Sequence, residues 1–363
     1  MKSNYETLGK HLQLVDKRNT DMVTDRLLGI NINKYFMPSV ANVIGTDLSR
    51  YKLLSKGIFA CNTMHVGRDE RLPVALYTED IPAIVSPAYH MFKIKDEKRL
   101  LPEYLMMWFQ RTEFDRICWL KTDGSVRGGI SWDDIERLEL PVPVIDRQKE
   151  IVKAYNTITD RIILKRKIND NLEVMAESIY LHYFSVDNTE ASGWVKSDLE
   201  RTAIIKTGKL NSEDAVVDGK YPFFTCSRET FLTNSYSFEQ EAVLLAGNNA
   251  SAIYPLKIFK GKFDAYQRTY VISSKNNCIS NKQLYFTLKH KLQEFEGISS
   301  GTTTKFLTMK ILNPIQVLVA PKAVANDFIE KMDLIFSMIY ENEKQIILLE
   351  TMNPLLQSSI SSS

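Results

Sequence analysis

The chain has 363 residues, with 46 Lys and Arg against 44 Asp and Glu and a formal net charge of +2. This length holds two domains of about 150 residues each plus connecting helices, and the nearly balanced charge excludes a uniformly basic, nucleic-acid-coating surface, so any basic surface is local. The four cysteines, Cys61, Cys118, Cys226 and Cys278, have neither metal-site nor disulfide-framework spacing, which predicts a reduced, cytoplasmic protein. The opening MKSNYETLGKHLQLVDKRN lacks an apolar signal core, and no stretch approaches the roughly 18 apolar residues of a membrane span; the expectation is a soluble protein that is not exported.

Residues 1–145 read as a first domain. A short helix is expected from Leu8 to Val15. After Leu28, the runs INKYFMP, YKLLSKGIFACN, RLPVALY and IPAIVSPAYHMFKI alternate β-branched and aromatic residues between Gly, Pro and Asn, which predicts a mixed, mainly antiparallel sheet. The segment LLPEYLMMWFQRTEFDRICWL reads as one helix whose apolar stripe is core.

Between Gly124 and Phe184 the chain changes character. A glycine turn, GSVRGG, precedes Ser131 with Asp134 three residues on, a helix-capping arrangement. LELPVPV must be extended, because Pro141 and Pro143 fix φ and bias their predecessors away from helix. Residues 146–186 then form one long helix. Ile151, Tyr155, Ile158 and Ile162, then Leu172, Ala176, Ile179 and Tyr183, keep the alternating three-and-four spacing of a coiled-coil seam, and the same phase places Lys165 and Asn169 in its middle. At 1.5 Å per residue this helix is roughly 55–60 Å long, the length of a spacer. The basic run from Arg161 to Lys167 fans around it and reads as a solvated face.

A linker, VDNTEASGW, opens the second domain, 187–320. YPFFTCS, EAVLLAGNNASAIYP and IFKGKFDAYQRTYVIS read as strands and KQLYFTLKHKLQEF as a helix, with AYQRTYVI falling where SPAYHMFKI fell before. SSGTTTKFLTMKILNPIQVLVAP then repeats the order of glycine turn, short helix and extended proline run, with Gly301 answering Gly124 or Gly128, Ile311 answering Ile135, Pro321 answering Pro143 and Ile329 answering Ile151. The closing helix, 321–363, carries a second seam at Phe328, Met332, Ile335, Ile339, Ile346, Leu349 and Leu356, interrupted by Asn342. The fold class is therefore α+β, with two similar mixed α/β domains joined by two long helices that pair as an antiparallel coiled coil, a pseudo-twofold repeat.

GSVRGGISWDDIERLELPVP followed by DRQKEIV closely resembles the junction between a target-recognition domain and the central conserved helix in specificity subunits of type I restriction-modification systems. The second junction, FDAYQRTYVIS through SSGTTTKFLTMKILNPIQVLVAP, looks like its counterpart, although KFLTMKIL stands where the first has GISWDDI and one proline replaces two. The resemblance covers essentially the whole chain. It implies a DNA sequence-recognition subunit that reads a bipartite duplex target. It also implies partners: DNA methyltransferase (modification) subunits that hold S-adenosylmethionine and restriction (endonuclease and translocase) subunits that use ATP and Mg. Neither cofactor is expected on this chain.

No enzyme site is legible. TGKLNS, at Thr207 to Ser212, has Leu210 where a nucleotide loop needs a hydroxyl. The histidines at 11, 65, 90, 182 and 290 lack metal-ligand spacing, and Asp133 with Asp134 sits at a helix start, where capping explains both. The chain reads as non-catalytic.

Candidate DNA contacts are softer. Lys257, Lys260, Lys262 and Arg268 surround aromatic residues in KIFKGKFDAYQR; Lys121 and Arg127 flank the first glycine turn; HVGRDER offers His65, Arg68 and Arg71 in a loop. Lys and Arg neutralise phosphates, and Arg, Gln and Asn form bidentate contacts with base edges. Gln267 beside Arg268, on what reads as a strand with Tyr266 and Tyr270, and Asn248 with Asn249 in a glycine-flanked loop, are the candidate base readers. Each has an alternative as a solvated charge or turn-former. Two other classes stay open for the whole chain: a non-catalytic coiled-coil scaffold or adaptor without DNA reading, and a self-contained nuclease or methyltransferase with an unrecognised motif.

The spacer reading carries its own test. Adding or removing one heptad within Ile162 to Leu172, with a matching change in the closing helix, preserves the seam and shifts length by about 10 Å, near three base pairs. The gap between half-sites should change while the half-site bases do not; an unchanged gap in an active protein would remove the ruler role.

Overall fold

The computed structural model describes residues 4–41, 45–64, 66–122, 128–184, 193–298 and 305–359. The chain divides into two compact units, one of residues 1–164 and 346–363, the other of residues 165–345.

In the first unit β1 (Tyr5–Thr7), α1 (Leu8–His11) and β2 (Leu12–Val15) follow without a break, ahead of β3 (Leu28–Ile30), β4 (Phe36–Pro38), β5 (Lys52–Leu54) and β6 (Phe59–Cys61). Then come α2 (Val66–Asp69), β7 (Val74–Leu76), β8 (Ala83–Val85), β9 (His90–Ile94), α3 (Pro102–Phe109), α4 (Thr112–Leu120), α5 (Trp132–Glu136), β10 (Glu139–Pro141) and the start of α6 (Ile145–Tyr183). The central sheet has the order β2-β9-β6-β7, all antiparallel, and β1 pairs with β10 beside it. Its core gathers Phe59, Phe92, Tyr104, Phe109, Phe114, Leu140 and Ile151.

In the second unit, after the rest of α6, come β11 (Val195–Asp198), α7 (Leu199–Thr202), β12 (Ala203–Thr207), β13 (Tyr221–Phe224), β14 (Thr230–Thr233), β15 (Phe238–Ala246), β16 (Asn248–Asn249), β17 (Leu256–Ala265) and β18 (Thr269–Ser274). They are followed by α8 (Asn281–Ile298), β19 (Lys305–Phe306), α9 (Met309–Leu312), β20 (Gln316–Val319) and α10 (Lys322–Ser359). The six-stranded sheet runs β12-β18-β15-β17-β13-β14, and β11 pairs with β20.

These two lists are one plan used twice. β2-β9-β6-β7 matches β12-β18-β15-β17, β1 with β10 matches β11 with β20, and a one-turn helix follows the first strand in each. The details match too. Leu8 N–H donates to Leu138 O and Leu199 N–H to Ile315 O, both at 2.8 Å; Lys95 N–H donates to His11 O and Lys275 N–H to Thr202 O, at 2.8 and 2.9 Å. The predicted α+β duplication is thus present in topology and hydrogen bonding. The junction glycines 124 and 301 and the linker after Phe184 lie outside the described residues, but Ile135 and Ile311 both sit in the short helices, α5 and α9, as their correspondence requires.

Three expectations are corrected. Leu8 to Val15 is not one helix: it turns once and then Leu12–Val15 joins the sheet opposite Met91–Ile94, because Leu12 and the main chain find partners there that a helix would lose. The segment around MMWFQRTEF is two helices, α3 and α4, parted at Arg111, whose backbone is extended. The break frees the Phe109 carbonyl, which the buried Lys34 ammonium takes, and it lets Phe114 pack 5.0 Å from Phe109 and 4.9 Å from Trp108. Finally, Gln267 and Arg268 are not on a strand. They make the turn between β17 and β18, closed by Thr269 N–H to Tyr266 O at 2.8 Å.

The long helices follow their seams. In the first unit Ile158 and Ile162 pack with Ile346, Leu349 and Leu356. In the second, Leu172 and Ala176 are buried with Phe328, Met332, Ile335 and Ile339. Tyr183 bonds to Asp327 while Asn169 bonds to Asn342, so in this unit α6 and α10 run antiparallel. Asn342 Nδ2 donates to Asn169 Oδ1 at 2.9 Å, and Lys165 Nζ donates to Asn342 Oδ1 at 3.0 Å. The basic run is thus mostly exposed, but Lys165 turns into the seam. Replacing Asn169 and Asn342 together with leucine should raise the melting temperature, by about 2–4 °C for each kcal/mol gained, and loosen pairing enough for sedimentation to detect self-association. If neither the melting temperature nor the oligomeric state moves, the asparagines do not set register.

Candidate nucleic-acid interface

In the second unit the chain after β15 cannot carry a side chain at Gly247: a Cβ there would lie 2.4 Å from Arg268 O and 3.0 Å from the Tyr270 ring. That close approach lets Gly247 N–H donate to Arg268 O at 2.8 Å and Gly247 O accept from Leu307 N–H at 2.9 Å. Asn248 and Asn249 then pair with Phe306 and Lys305 across β16 and β19. The Arg268 guanidinium lies 5.3 Å from the centre of the Phe306 ring and is exposed, a cation–π brace that leaves its donor fork facing solvent. Asn248, Arg268, Lys305 and Phe306 therefore belong to one cluster. Asn248 Oδ1 is buried without a hydrogen-bond partner, whereas Asn249 Oδ1 is occupied by Ser251 N–H at 2.8 Å and Ile253 N–H at 3.4 Å, a turn-former's bonding. Gln267 is exposed, and its amide donates to Asn211 Oδ1 at 3.0 Å.

The three lysines of β17 sit in three different environments. Lys257 Nζ is half-buried, donating to Glu229 O at 3.0 Å and Thr230 Oγ1 at 2.9 Å above the Phe224 ring; burial pulls its pKa below the usual lysine value. Lys260 is exposed, in register with Glu241. Lys262 lies 4.6 Å from the Tyr236 ring centre and 3.8 Å from Glu239, and the Tyr236 hydroxyl, with that carboxylate, raises its pKa. Gly261 between them has φ +149°, a backbone that only glycine adopts readily.

The corresponding place in the first unit is built the same way. Gly129 packs against Thr63 so tightly that a Cβ would lie 2.8 Å from Thr63 O; Ile130 N–H donates to that oxygen at 3.1 Å, and Gly67 N–H to Gly128 O at 2.8 Å. Contrary to the loop expected for HVGRDER, Arg68 lies on the one-turn helix α2; its neighbour Asp69 engages it at 2.6 Å, which raises its pKa, and Arg71 donates to Asn33 Oδ1 at 3.0 Å. Lys121 is exposed at the end of α4. His65 and Arg127 lie outside the described residues. The sequence did not single out Phe306, Lys305, Asn211 or Tyr236, which pack beside these candidates; a Lys-Phe pair just before a short helix was the available signal for the first two.

All four cysteines are free, and burial pushes the Cys61 thiol up to about 12. Among the described residues no group of three His, Cys, Asp or Glu could hold a metal ion, and no helix is long and apolar enough to cross a membrane.

Fold and site together define a duplicated α+β protein whose two units each present a glycine-closed loop framework. A family model of the type I restriction modification DNA specificity domain matches residues 73–174 and 192–348, more than half of the chain, and the chain belongs to that family. It is 31% identical over 153 residues to the specificity subunit of type I restriction enzyme EcoDI of Escherichia coli, covering 42% of this chain and 33% of that protein. It is 20% identical over 286 residues to the MjaIX specificity subunit of Methanocaldococcus jannaschii, covering 69% of this chain and 66% of that protein. The chain thus spans about one third and just under two thirds of these relatives' lengths. The fold is similar to a type I restriction-modification S subunit from M. genitalium, with a TM-score of 0.59, 16% identity and coverage of 98% of this chain and 95% of that one.

Proposed function

We propose that this chain is the sequence-recognition (specificity) subunit of a type I restriction-modification complex, itself non-catalytic, and that each domain reads one half of a bipartite duplex target. The observation that carries this reading is the duplicated loop framework within a chain of this family. The backbone pattern of Thr63, Gly67 and Gly128 recurs at Gly247, Asn249 and Lys305 with different side chains around it, which is what reading two different base sequences from one scaffold requires. In this reading the protein is cytoplasmic and works with methyltransferase subunits, which carry S-adenosylmethionine, and with restriction subunits that use ATP and Mg.

The test is methylation mapping in cells carrying the chain and its modification subunit. A split motif with a fixed non-specific gap is expected, and a continuous motif would overturn the reading. Exchanging residues 195–319 for the corresponding domain of a relative should change one half of that motif and leave the other intact.

A further inference from the structure

A cavity of about 340 Å³ lies in the second unit between the β13–β14 turn, the segment entering β17 and one face of α8; Arg228, Tyr254, Lys257, Tyr285, Lys289 and Leu292 line it. Among the described residues no carboxylate lines it directly. Lys289 is already matched by Glu173 and Glu177, each at 3.0 Å. Arg228 is exposed and has no carboxylate partner among the described residues. Tyr254 is 3% exposed, and its hydroxyl has no hydrogen-bond partner among them. Arg228 is therefore the lining cation without a carboxylate partner of its own, and an exposed guanidinium beside a cavity is the complement of an oxyanion.

The lining has an inner brace. Lys257 spends its ammonium on Glu229 O and Thr230 Oγ1, the two residues after Arg228. On the other side of the turn Cys226 Sγ donates to Arg268 O at 3.4 Å, so the turn bearing Arg228 adjoins the one bearing Gln267 and Arg268.

We propose that this cavity takes a phosphate group, a duplex-backbone phosphate flanking the bases read beside Arg268, with Arg228 as its cation and Lys257 as the residue that positions the Arg228 turn. The duplex source rests on the proposed recognition function; the phosphate chemistry does not. Lys257 thereby changes role, from a phosphate contact to a buttress.

Duplex binding by the full chain with its modification subunits would be titrated against salt by fluorescence anisotropy. Arg228→Ala should lower the slope of log affinity against log salt by about 1 and weaken all sequences alike, with Arg228→Lys restoring the slope. Lys257→Met should weaken binding to a similar degree, and the double variant should be no weaker than either single, because both act through one contact. A wild-type slope in Arg228→Ala would overturn the site, and additive losses would overturn the buttress. The second arm measures thermal stabilisation of the full chain by millimolar inorganic phosphate, wild type against Arg228→Ala. If wild type binds no duplex but phosphate stabilises it in an Arg228-dependent way, the recognition reading falls and the phosphate site stands. If neither arm depends on Arg228, the site falls.

Discussion

Asp115→Ala is expected to destabilise the first unit by about 3–5 kcal/mol, the loss that follows when one partner of a buried ion pair is removed. Lys34, 6% exposed, places Nζ 2.7 Å from Asp115 Oδ1 and also donates to Phe109 O; Asp115 Oδ1 accepts from Leu72 N–H at 3.2 Å as well. Removing the carboxylate strands an ammonium beneath Phe114, whose ring centre is 4.9 Å away, and leaves the Leu72 N–H unmatched. The double variant Lys34→Met, Asp115→Asn keeps an acceptor for Leu72 and buries no charge, so it should recover more than half of the loss. Trp108, Trp119 and Trp132 belong to this unit and only Trp194 to the other, so denaturant unfolding followed by tryptophan fluorescence reports chiefly on it. A loss under about 1 kcal/mol for Asp115→Ala would mean that water replaces the pair's work.

The pair also has a pH signature. Burial lowers the Lys34 pKa below its usual value, against the opposing pull of Asp115. Between that lowered value and the ordinary lysine value the unfolded chain binds more protons than the folded one, so Lys34's contribution makes stability rise with pH across that window. Lys34→Met should flatten this rise.

Gly208→Ala should be more damaging than any other single methyl addition in the second unit. A Cβ at Gly208 would lie 1.7 Å from Ala265 O and 2.1 Å from Ala265 C. Neither side can yield cheaply: Gly208 N–H donates to Thr269 O at 3.3 Å, Leu210 N–H to Ala265 O at 3.4 Å, and Ala265 is fully buried. At least about 3 kcal/mol is expected, the upper range for overpacking against a main chain that cannot move. The variant should lower the melting transition of the second unit and, in cells, blur one half of the methylated motif while sparing the other. Normal stability would mean that the β17–β18 turn shifts freely, contrary to its bonding. This also explains the glycine of TGKLNS, which superficially suggests a nucleotide loop: it is there because another backbone passes over it.

What the sequence determined alone was whatever depends on near neighbours and on periodicity. The three-and-four spacing of Ile151 to Tyr183 and of Phe328 to Leu356 specified two long helices, each with an apolar seam interrupted by one asparagine, Asn169 or Asn342; that the two asparagines meet was left to the structure. The Ser131 cap, the Pro141 and Pro143 run and its weaker echo before α10 marked the junctions and hence the duplication. Each of these is a local preference repeated until it dominates.

Tertiary structure decided the rest. Nothing near Arg111 in the sequence breaks a helix; the Phe109 carbonyl that the break leaves open is taken by Lys34, far earlier in the chain. Lys257 and Lys262 look alike along β17, yet one is drawn inward by the Glu229 carbonyl and the Thr230 hydroxyl and the other stays out beside Tyr236. Gln267 and Arg268 alternate with tyrosines as a strand would, but Gly247 approaches the main chain closely enough to fold them into a turn. In each case the partner is distant in sequence and meets the residue only in the folded sheet, so where each side chain ends up is decided by packing and by the need to satisfy buried polar groups rather than by local propensity.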